Sequence, residues 1–313
     1  MNKKKVVIIG GGHGQAAMCR GIKYIPDIDL SAIVTVADDG GSTGRLRRQF
    51  HIPAMGDIRN VMIALADSET LMSDLMEHRF EDPDGTGKDV SGHNLGNLIL
   101  TAMTQQCGSF LEAVSTIGKI LNVRGRIIPA TSQVITLYAL MADDVIVKGE
   151  ASIPNRENRI RKVFYDSPVH AVPEAVKAVE EADLILYGIG SVFTSILPNV
   201  IIEEIGEALR RSKGRKVYFC NAMTQPGETD GFSVEDHVRS LREHGAPVDA
   251  VVTSADIIPD EILKRYAEEG SIPVRLRESA HDYEVIRTEL LDFDGGLVRH
   301  DPDKIRKAAE NLL

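Results

Sequence analysis

Aromatic and sulfur-bearing side chains are scarce in this sequence. Its 313 residues include no tryptophan, 7 tyrosines, 8 phenylalanines and 3 cysteines. The cysteines (Cys19, Cys107 and Cys220) lack the C-x-x-C spacing of a zinc knuckle and form no disulfide framework, which indicates a reduced compartment. A nucleobase would therefore find few stacking partners, and motif context makes Phe193 and Tyr266 the better candidates.

Positive charge and long apolar runs are also lacking. The 36 Lys and Arg residues face 46 Asp and Glu, for a formal net charge of −10, which argues against bulk attraction to nucleic acid. No apolar run reaches the length of about 20 residues that crosses a bilayer, so we expect no membrane span. These features predict a cytoplasmic protein that binds neither nucleic acid nor membrane.

The sequence has enough hydrophobic residues, 43% of the total, to form one large core. Short apolar β-branched runs alternate with helical patterns, which predicts an α/β fold: a doubly wound, mostly parallel Rossmann-like sheet in a single domain, 1–313. Paired helical patterns interrupt the alternation and predict a helical insertion at 67–123. Strand patterns at 133–141 and 145–153 flank a turn at 142–144 and predict a small β-hairpin region.

Two helical patterns carry expectations about individual side chains. Residues 68–80 read as a helix with Leu71, Leu75 and Met76 at core spacing. Arg47 and Arg48 read as a solvated helix face.

A glycine-rich loop follows the first predicted strand, residues 5–9. Its sequence, G-G-G-H-G at 10–14, precedes a helical run, so G-x-G-x-x-A fits the dinucleotide-binding pattern. Backbone N–H groups there could cradle a phosphate at a helix start. The alternative is that the glycines only allow a tight strand-to-helix turn. The candidate ligand contacts are Gly11, Gly12, His13 and Gly14.

A second such loop, T-V-A-D-D-G-G-S-T-G-R at 35–45, follows the second predicted strand. Asp38 or Asp39 occupies the place of a ribose-binding acid, but an ordinary dinucleotide fold leaves the rest of the loop unexplained. The two acids could instead bind a hydroxyl-rich ligand or a divalent cation such as Mg²⁺ that accompanies phosphates. The other candidate ligand contacts in this loop are Gly41, Ser42, Thr43 and Arg45.

Further polar clusters also lie at the ends of predicted strands or at helix starts. Asp57 is equally well explained as an N-cap or as a ligand contact. Parallel strands bring their carboxyl ends to one edge of the sheet, so we expect the strand-end clusters to line a shared cleft. The remaining candidates are Asn60, Asn94, Asn97, Gly190, Ser191, Phe193, Thr194, Asn221, Thr224 and Gln225.

These motifs together resemble a known family. G-G-G-H-G, T-V-A-D-D-G-G-S-T-G-R-L-R, G-D-I-R-N, G-H-N-L-G-N-L, G-I-G-S-V-F-T-S-I-L-P-N and C-N-A-M-T-Q-P-G-E-T-D-G-F-S-V-E-D-H are similar to the YvcK-type gluconeogenesis factors, relatives of the CofD 2-phospho-lactate transferases. The resemblance implies binding of a nucleotide-sugar such as UDP-N-acetylglucosamine, with contacts from Tyr266 and Arg299. It also implies a cytoplasmic role in cell shape and envelope synthesis during gluconeogenic growth. His13 stands where the family usually has Thr.

Two classes of function follow. In the first, the protein is a non-enzymatic regulator whose bound UDP-sugar alters its effect on an envelope-synthesis or regulatory partner, and which could be a homo-oligomer. In the second, it is a CofD-type transferase moving a phospho-lactate-type group to a hydroxyl, with Asp38, Asp39 or Asp57 holding the metal or acting as base. An NAD-dependent oxidoreductase ranks third.

Overall fold

The computed structural model describes residues 3–81, 85, 89–156, 158–277 and 280–313. Seven parallel strands form the central sheet in the order β10-β9-β8-β7-β1-β2-β3, which confirms the predicted doubly wound α/β fold. The strands are β1 (Lys4–Gly10), β2 (Ile28–Val34), β3 (Arg126–Pro129), β4 (Tyr138–Met141), β5 (Ile146–Lys148), β6 (Ile160–Phe164), β7 (Leu184–Tyr187), β8 (Arg215–Phe219), β9 (Ala250–Ser254), β10 (Glu284–Thr288), β11 (Leu291–Asp292) and β12 (Arg299–His300).

Helices cover the sheet and supply its connections. They are α1 (Gly12–Ile22), α2 (Gly41–Phe50), α3 (Gly56–Leu65), α4 (Glu69–Met76), α5 (Leu95–Cys107), α6 (Phe110–Ile120), α7 (Pro173–Glu180), α8 (Leu197–Val200), α9 (Glu203–Arg211), α10 (Val234–Glu243), α11 (Asp260–Glu268) and α12 (Pro302–Glu310). In the described part of the chain, none of them combines the length and the apolar character needed to cross a bilayer.

The central strands form because their apolar runs can be buried on both faces. Residues 6–9 of β1 and 184–187 of β7 are all buried, as expected for parallel strands covered by helices. The side chain of Gln15 is also fully buried and donates hydrogen bonds to the carbonyls of Ile8 (3.1 Å) and Ile33 (2.8 Å). This amide holds the start of α1 against β1 and β2.

The order of the strands determines where a ligand can bind. From β1 the chain winds outward through β2 to β3, and from β7 it winds the other way through β8 and β9 to β10. β1 and β7 are neighbours, so the direction of winding reverses between them. In open α/β sheets a crevice forms at this point, beyond the carboxyl ends of the strands.

The small antiparallel sheet has the order β5-β4-β6, and the predicted turn joins β4 to β5. The first predicted strand begins too early, because residues 133–137 lie outside β4. The second ends too late, because a 3₁₀ helix, Glu150–Asn155, follows β5. Gly149 precedes that helix with a φ of 95°, a conformation that ends an extended strand.

The helix predicted at 68–80 is shorter than expected, since α4 ends at Met76. Leu71 is 62% exposed and Leu75 is 43% exposed, so the expectation that they belong to the core is wrong, whereas Met76 is buried. Helical spacing shows that residues share a face but not whether another element covers that face.

Candidate functional site

The loops after β1 and β7 meet at the point where the winding reverses. A Cβ on Gly14 would lie 2.3 Å from the carbonyl oxygen of Ile189 and 2.9 Å from the nitrogen of Gly190, so only glycine permits this approach. The amide of Asn199 donates to the carbonyls of Gly10 (3.1 Å) and Ser195 (2.9 Å). These contacts hold the two loops edge to edge.

Asp57 points at the first glycine-rich loop. A Cβ on Gly11 would lie 2.5 Å from the Asp57 Oδ2, and the carboxyl accepts a hydrogen bond from the Gly12 N–H. Burial, and then the nearby charge of Asp38, raise the pKa of Asp57 from 3.8 to about 7. Met55 is the N-cap residue of α3, so the N-cap interpretation of Asp57 is wrong.

Asp38 lies at the entrance to α2. Its carboxyl accepts hydrogen bonds from the Gly40 N–H (2.9 Å) and the Thr43 hydroxyl. A Cβ on Gly56 would lie 2.8 Å from the Asp38 Oδ2, so glycine also keeps α3 close to this carboxyl. Burial raises the pKa of Asp38 despite these two hydrogen bonds. The charge of Asp38 acts on Asp57, so the two carboxyls lie near each other beside the glycine-rich loops after β1 and β2.

A buried amide orders the two hydroxyl residues of α2. Asn97 Nδ2 donates to Ser42 Oγ (3.2 Å) and lies 3.5 Å from Thr43 Oγ1. Its Oδ1 accepts a hydrogen bond from Arg59 (3.1 Å), which also binds Asn60 Oδ1 (2.9 Å). Asn97 thus acts within the protein, positioning hydroxyl groups at the N-terminus of α2.

Arg47 is buried, so its predicted place on a solvated face is wrong. Its guanidinium donates to the main-chain carbonyls of Ala37 (3.3 Å), Asp38 (2.8 Å) and Ile135. These hydrogen bonds hold the backbone at Asp38 in place and connect α2 to the segment before β4.

The small sheet contributes to the same site. Asp39 Oδ1 accepts the N–H of Ala151 (3.0 Å), and a Cβ on Gly149 would lie 2.6 Å from Asp39 Oδ2. Between them lies Glu150, whose pKa rises to about 8 through burial and then through the charges of Asp38 and three further acids, Asp57, Glu228 and Asp39. Five carboxyl groups from four separate parts of the chain are therefore neighbours.

Glu228 brings the loop after β8 to the loop after β7. It is buried, and its carboxylate accepts hydrogen bonds from Ser191 Oγ and Thr194 Oγ1 (3.3 Å). Burial raises its pKa. Ser191 Oγ also accepts the N–H of Thr194 (3.0 Å) and so caps the π-helical turn Val192–Ile196.

Other predicted site residues lie elsewhere. Phe193 is only 1% exposed and packs against Phe232 and His244, so it belongs to the core and has no free face for a base. Asn94 donates to the Glu77 carbonyl (3.1 Å).

His13 is exposed at the start of α1, on the same side as the glycine-rich loops. Arg45 donates to the Ser91 carbonyl (2.8 Å) and so bridges α2 to the loop before α5.

The remaining candidates follow the strands beyond β7. Asn221 donates to Gln225 Oε1 (3.2 Å) within the loop after β8. Thr224 Oγ1 accepts the N–H of Ile272 (2.9 Å) from the segment after α11, so both side chains already have hydrogen-bond partners inside the protein. Tyr266 accepts the N–H of Val298 (3.0 Å) at its hydroxyl, beside the exposed Arg299. These two predicted contacts are thus near each other, on α11 and β12.

Mg²⁺ fits the chemistry of this cleft only if a bound phosphate group supplies part of its oxygen ligands. Among the described residues, no group of three or more His, Cys, Asp or Glu side chains is arranged to hold a metal ion by itself. Mg²⁺ commonly binds one or two carboxylates together with phosphate oxygens and water. Asp38 and Asp57 could supply such oxygens beside the two glycine-rich loops.

The residues that the sequence reasoning missed are Glu150, Glu228 and Arg59. Glu228 stands within the C-N-A-M-T-Q-P-G-E-T-D-G motif, so the motif itself was a signal. Glu150 follows a three-residue strand far along the chain, and no local pattern distinguishes it from a surface acid.

Known proteins match nearly the whole chain. The sequence profile of the family described as 2-phospho-L-lactate transferase CofD matches residues 6–291. A protein of Bacillus subtilis named gluconeogenesis factor is 44% identical, covering 99% of this chain and 98% of its own. A putative gluconeogenesis factor of Thermotoga maritima is 38% identical, covering 98% and 99%.

A solved structure agrees with the fold. The crystal structure of a UPF0052 family protein from Bacillus halodurans has a TM-score of 0.92 and 41% sequence identity, covering 98% of this chain and 99% of that one. Sequence and structure lead to the same assignment: the chain belongs to the CofD family and is a homologue of the gluconeogenesis factors.

Proposed function

We propose that this protein binds a nucleotide-sugar of the UDP-N-acetylglucosamine type in the cleft between the loops after β1 and β7. One observation carries the proposal. The loops after β1 and β7 meet where the direction of winding reverses, and a group of carboxyls lies beside them. Backbone N–H groups of the loops suit a diphosphate. The carboxyls suit sugar hydroxyls directly, or the phosphates through a divalent cation.

The proposed role is regulatory. Its homologues are named for gluconeogenesis, which supports a role connected with gluconeogenic growth. We place the protein in the cytoplasm, where the bound nucleotide-sugar would report the supply of envelope precursors and alter contacts with an envelope-synthesis or regulatory partner. Binding without turnover is the simplest function for this cleft, because most of its polar groups are hydrogen-bonded to one another.

A transferase is the second candidate, and the titration of Asp57 favours it. A carboxyl with a pKa near 7 can accept a proton from a hydroxyl at neutral pH. Asp57 would then take the proton of the acceptor hydroxyl while Asp38 and Asp39 held a divalent cation. The hydroxyl oxygen would bond to the phosphorus of a phospho-lactate-type group, and the phosphoanhydride bond to the nucleotide carrier would break, so that a nucleoside monophosphate leaves. The family profile bears the name of such an enzyme.

Calorimetric titration with UDP-N-acetylglucosamine, GDP and NAD, each with and without Mg²⁺, tests the proposal. We expect UDP-N-acetylglucosamine to bind most tightly, and Asp38→Asn to weaken it without unfolding the chain. Asp74→Asn, which changes an exposed acid on α4, is the matched control. Binding of NAD alone would refute the proposal. Formation of a new phosphorus-containing product, seen by phosphorus NMR, would establish the transferase instead.

A further inference from the structure

A buried histidine lies against the second residue of α2. His93 is 3% exposed and Ser42 is 6% exposed, and the distance between His93 Nδ1 and Ser42 Oγ is 2.8 Å. The main chain of the histidine is held on both sides, because its N–H donates to the Val90 carbonyl (3.1 Å) and its carbonyl accepts the Phe80 N–H (3.0 Å). An imidazole is thus fixed within hydrogen-bonding distance of a hydroxyl group.

The hydrogen bonds around Ser42 run in one direction. Arg59 can only donate, so the Asn97 oxygen that it contacts (3.1 Å) is an acceptor, and Nδ2 of the same amide is a donor. Nδ2 donates to Ser42 Oγ (3.2 Å). Among the described residues, His93 is then the partner left to accept the Ser42 proton. Its Nδ1 therefore carries a free lone pair, and its Nε2 carries the hydrogen.

The surroundings keep this imidazole neutral. Burial, and then the positive charges of Arg45 and Arg79, lower the pKa of His93. The hydroxyl of the neighbouring Thr43 donates to the Asp38 carboxyl instead, so the two hydroxyl groups of α2 have different partners. A neutral imidazole whose lone pair faces a serine hydroxyl is the arrangement that activates a serine nucleophile.

The position of Ser42 on α2 suits phosphoryl chemistry. Gly40 is the N-cap residue, so Ser42 lies in the first turn, where backbone N–H groups have no carbonyl partner within the helix. Such N–H groups and the positive end of the helix dipole favour the oxygens of a phosphoryl group. A phosphorylated serine in a first turn gains the same contacts.

We infer that Ser42 is a nucleophile activated by His93 and that it accepts a phosphoryl group from a phosphoanhydride. His93 Nδ1 takes the hydroxyl proton as Ser42 Oγ bonds to phosphorus. The bond from phosphorus to the leaving oxygen breaks, and the leaving phosphate departs with the electron pair. Water then displaces the phosphoryl group from Oγ, the proton on His93 returns to Oγ, and a proton of the water passes to solvent.

Diisopropyl fluorophosphate tests the inference without any nucleotide. The reagent is uncharged, so the nearby carboxyl of Asp38 does not repel it. Ser42 Oγ would bond to its phosphorus, the phosphorus–fluorine bond would break, and fluoride would leave. By intact-mass spectrometry and peptide mapping, we expect one diisopropylphosphoryl group on Ser42 of the wild type and none on Ser42→Ala. Ser115→Ala, which removes an exposed hydroxyl from α6, is the control and should label like the wild type.

His93→Asn separates a base from a merely structural partner. The Asn oxygen can still accept the Ser42 hydroxyl, so the melting temperature should stay near that of the wild type, but an amide cannot take the proton. We expect the labelling rate of Ser42 to fall by about a hundredfold or more. His78→Asn, which changes an exposed histidine after α4, should label at the wild-type rate.

Either of two results overturns the inference: no label on Ser42 of the wild type, or equal labelling rates for His93→Asn and the wild type. Both results leave the proposed function standing, because the assay contains no nucleotide-sugar. The proposed function fails instead if the wild type does not bind UDP-N-acetylglucosamine in the calorimeter, and labelling of Ser42 does not depend on that binding.

Discussion

Replacing Asp57 with Asn should stabilise the protein at neutral and alkaline pH. The folded-state pKa of Asp57 is raised to about 7 from an ordinary 3.8, so the folded chain holds the proton more tightly than the unfolded chain. Below pH 4 the carboxyl is neutral in both states. As the pH rises from 4 to 7 only the unfolded state loses its proton, and the free energy of unfolding falls.

The size of the effect follows from the shift. A rise of about three pKa units, at about 1.4 kcal/mol per unit, sets an upper limit of about 4 kcal/mol. Asn is neutral at every pH, and its amide oxygen can still accept the Gly12 N–H. At pH 8 we therefore expect Asp57→Asn to be more stable than the wild type by up to about 4 kcal/mol, or about 5–10 °C in melting temperature.

Thermal unfolding of the two proteins, measured from pH 4 to pH 8 by circular dichroism, checks the prediction. The difference between variant and wild type is the informative quantity, since the other acids, Glu150 included, titrate in both. Asp74→Asn should follow the wild type at every pH, because this acid is exposed on α4. Equal melting temperatures for Asp57→Asn and the wild type at pH 8 would show that the surroundings of Asp57 do not disfavour its ionised form.

Three further substitutions test the scaffold of the site. Arg47→Met should lower the free energy of unfolding in urea by about 2–4 kcal/mol, because carbonyls of Ala37 and Asp38 lose their donor. Asn97→Ala should cost about 1–3 kcal/mol in the same assay and weaken ligand binding, since Ser42 loses an ordering contact. Ser233→Ala removes the capping box of α10 and should cost about 1 kcal/mol while leaving ligand affinity unchanged.

The sequence by itself determined the sheet and the position of its polar loops. The strands at 6–9 and 184–187 are uninterrupted apolar runs, a local property that is visible without any long-range contact. Glycine-rich loops directly after such strands must lie at the carboxyl edge, so their convergence followed from the parallel topology. The capping box of Ser233 and Asp236 is a local feature of the same kind, since it spans only four residues.

Only the tertiary structure decided which side chains meet. Glu150 approaches the cleft because a three-residue strand and a 3₁₀ helix carry it there, and nothing in its neighbours encodes that path. Phe193 shares a motif with Ser191 and Thr194, yet packing against Phe232 turns it into the core. Arg47 looks like a surface charge until Ile135, 88 residues away, presents a carbonyl to it. Local patterns specify elements and turns, whereas burial and partner choice depend on distant segments that only folding brings together.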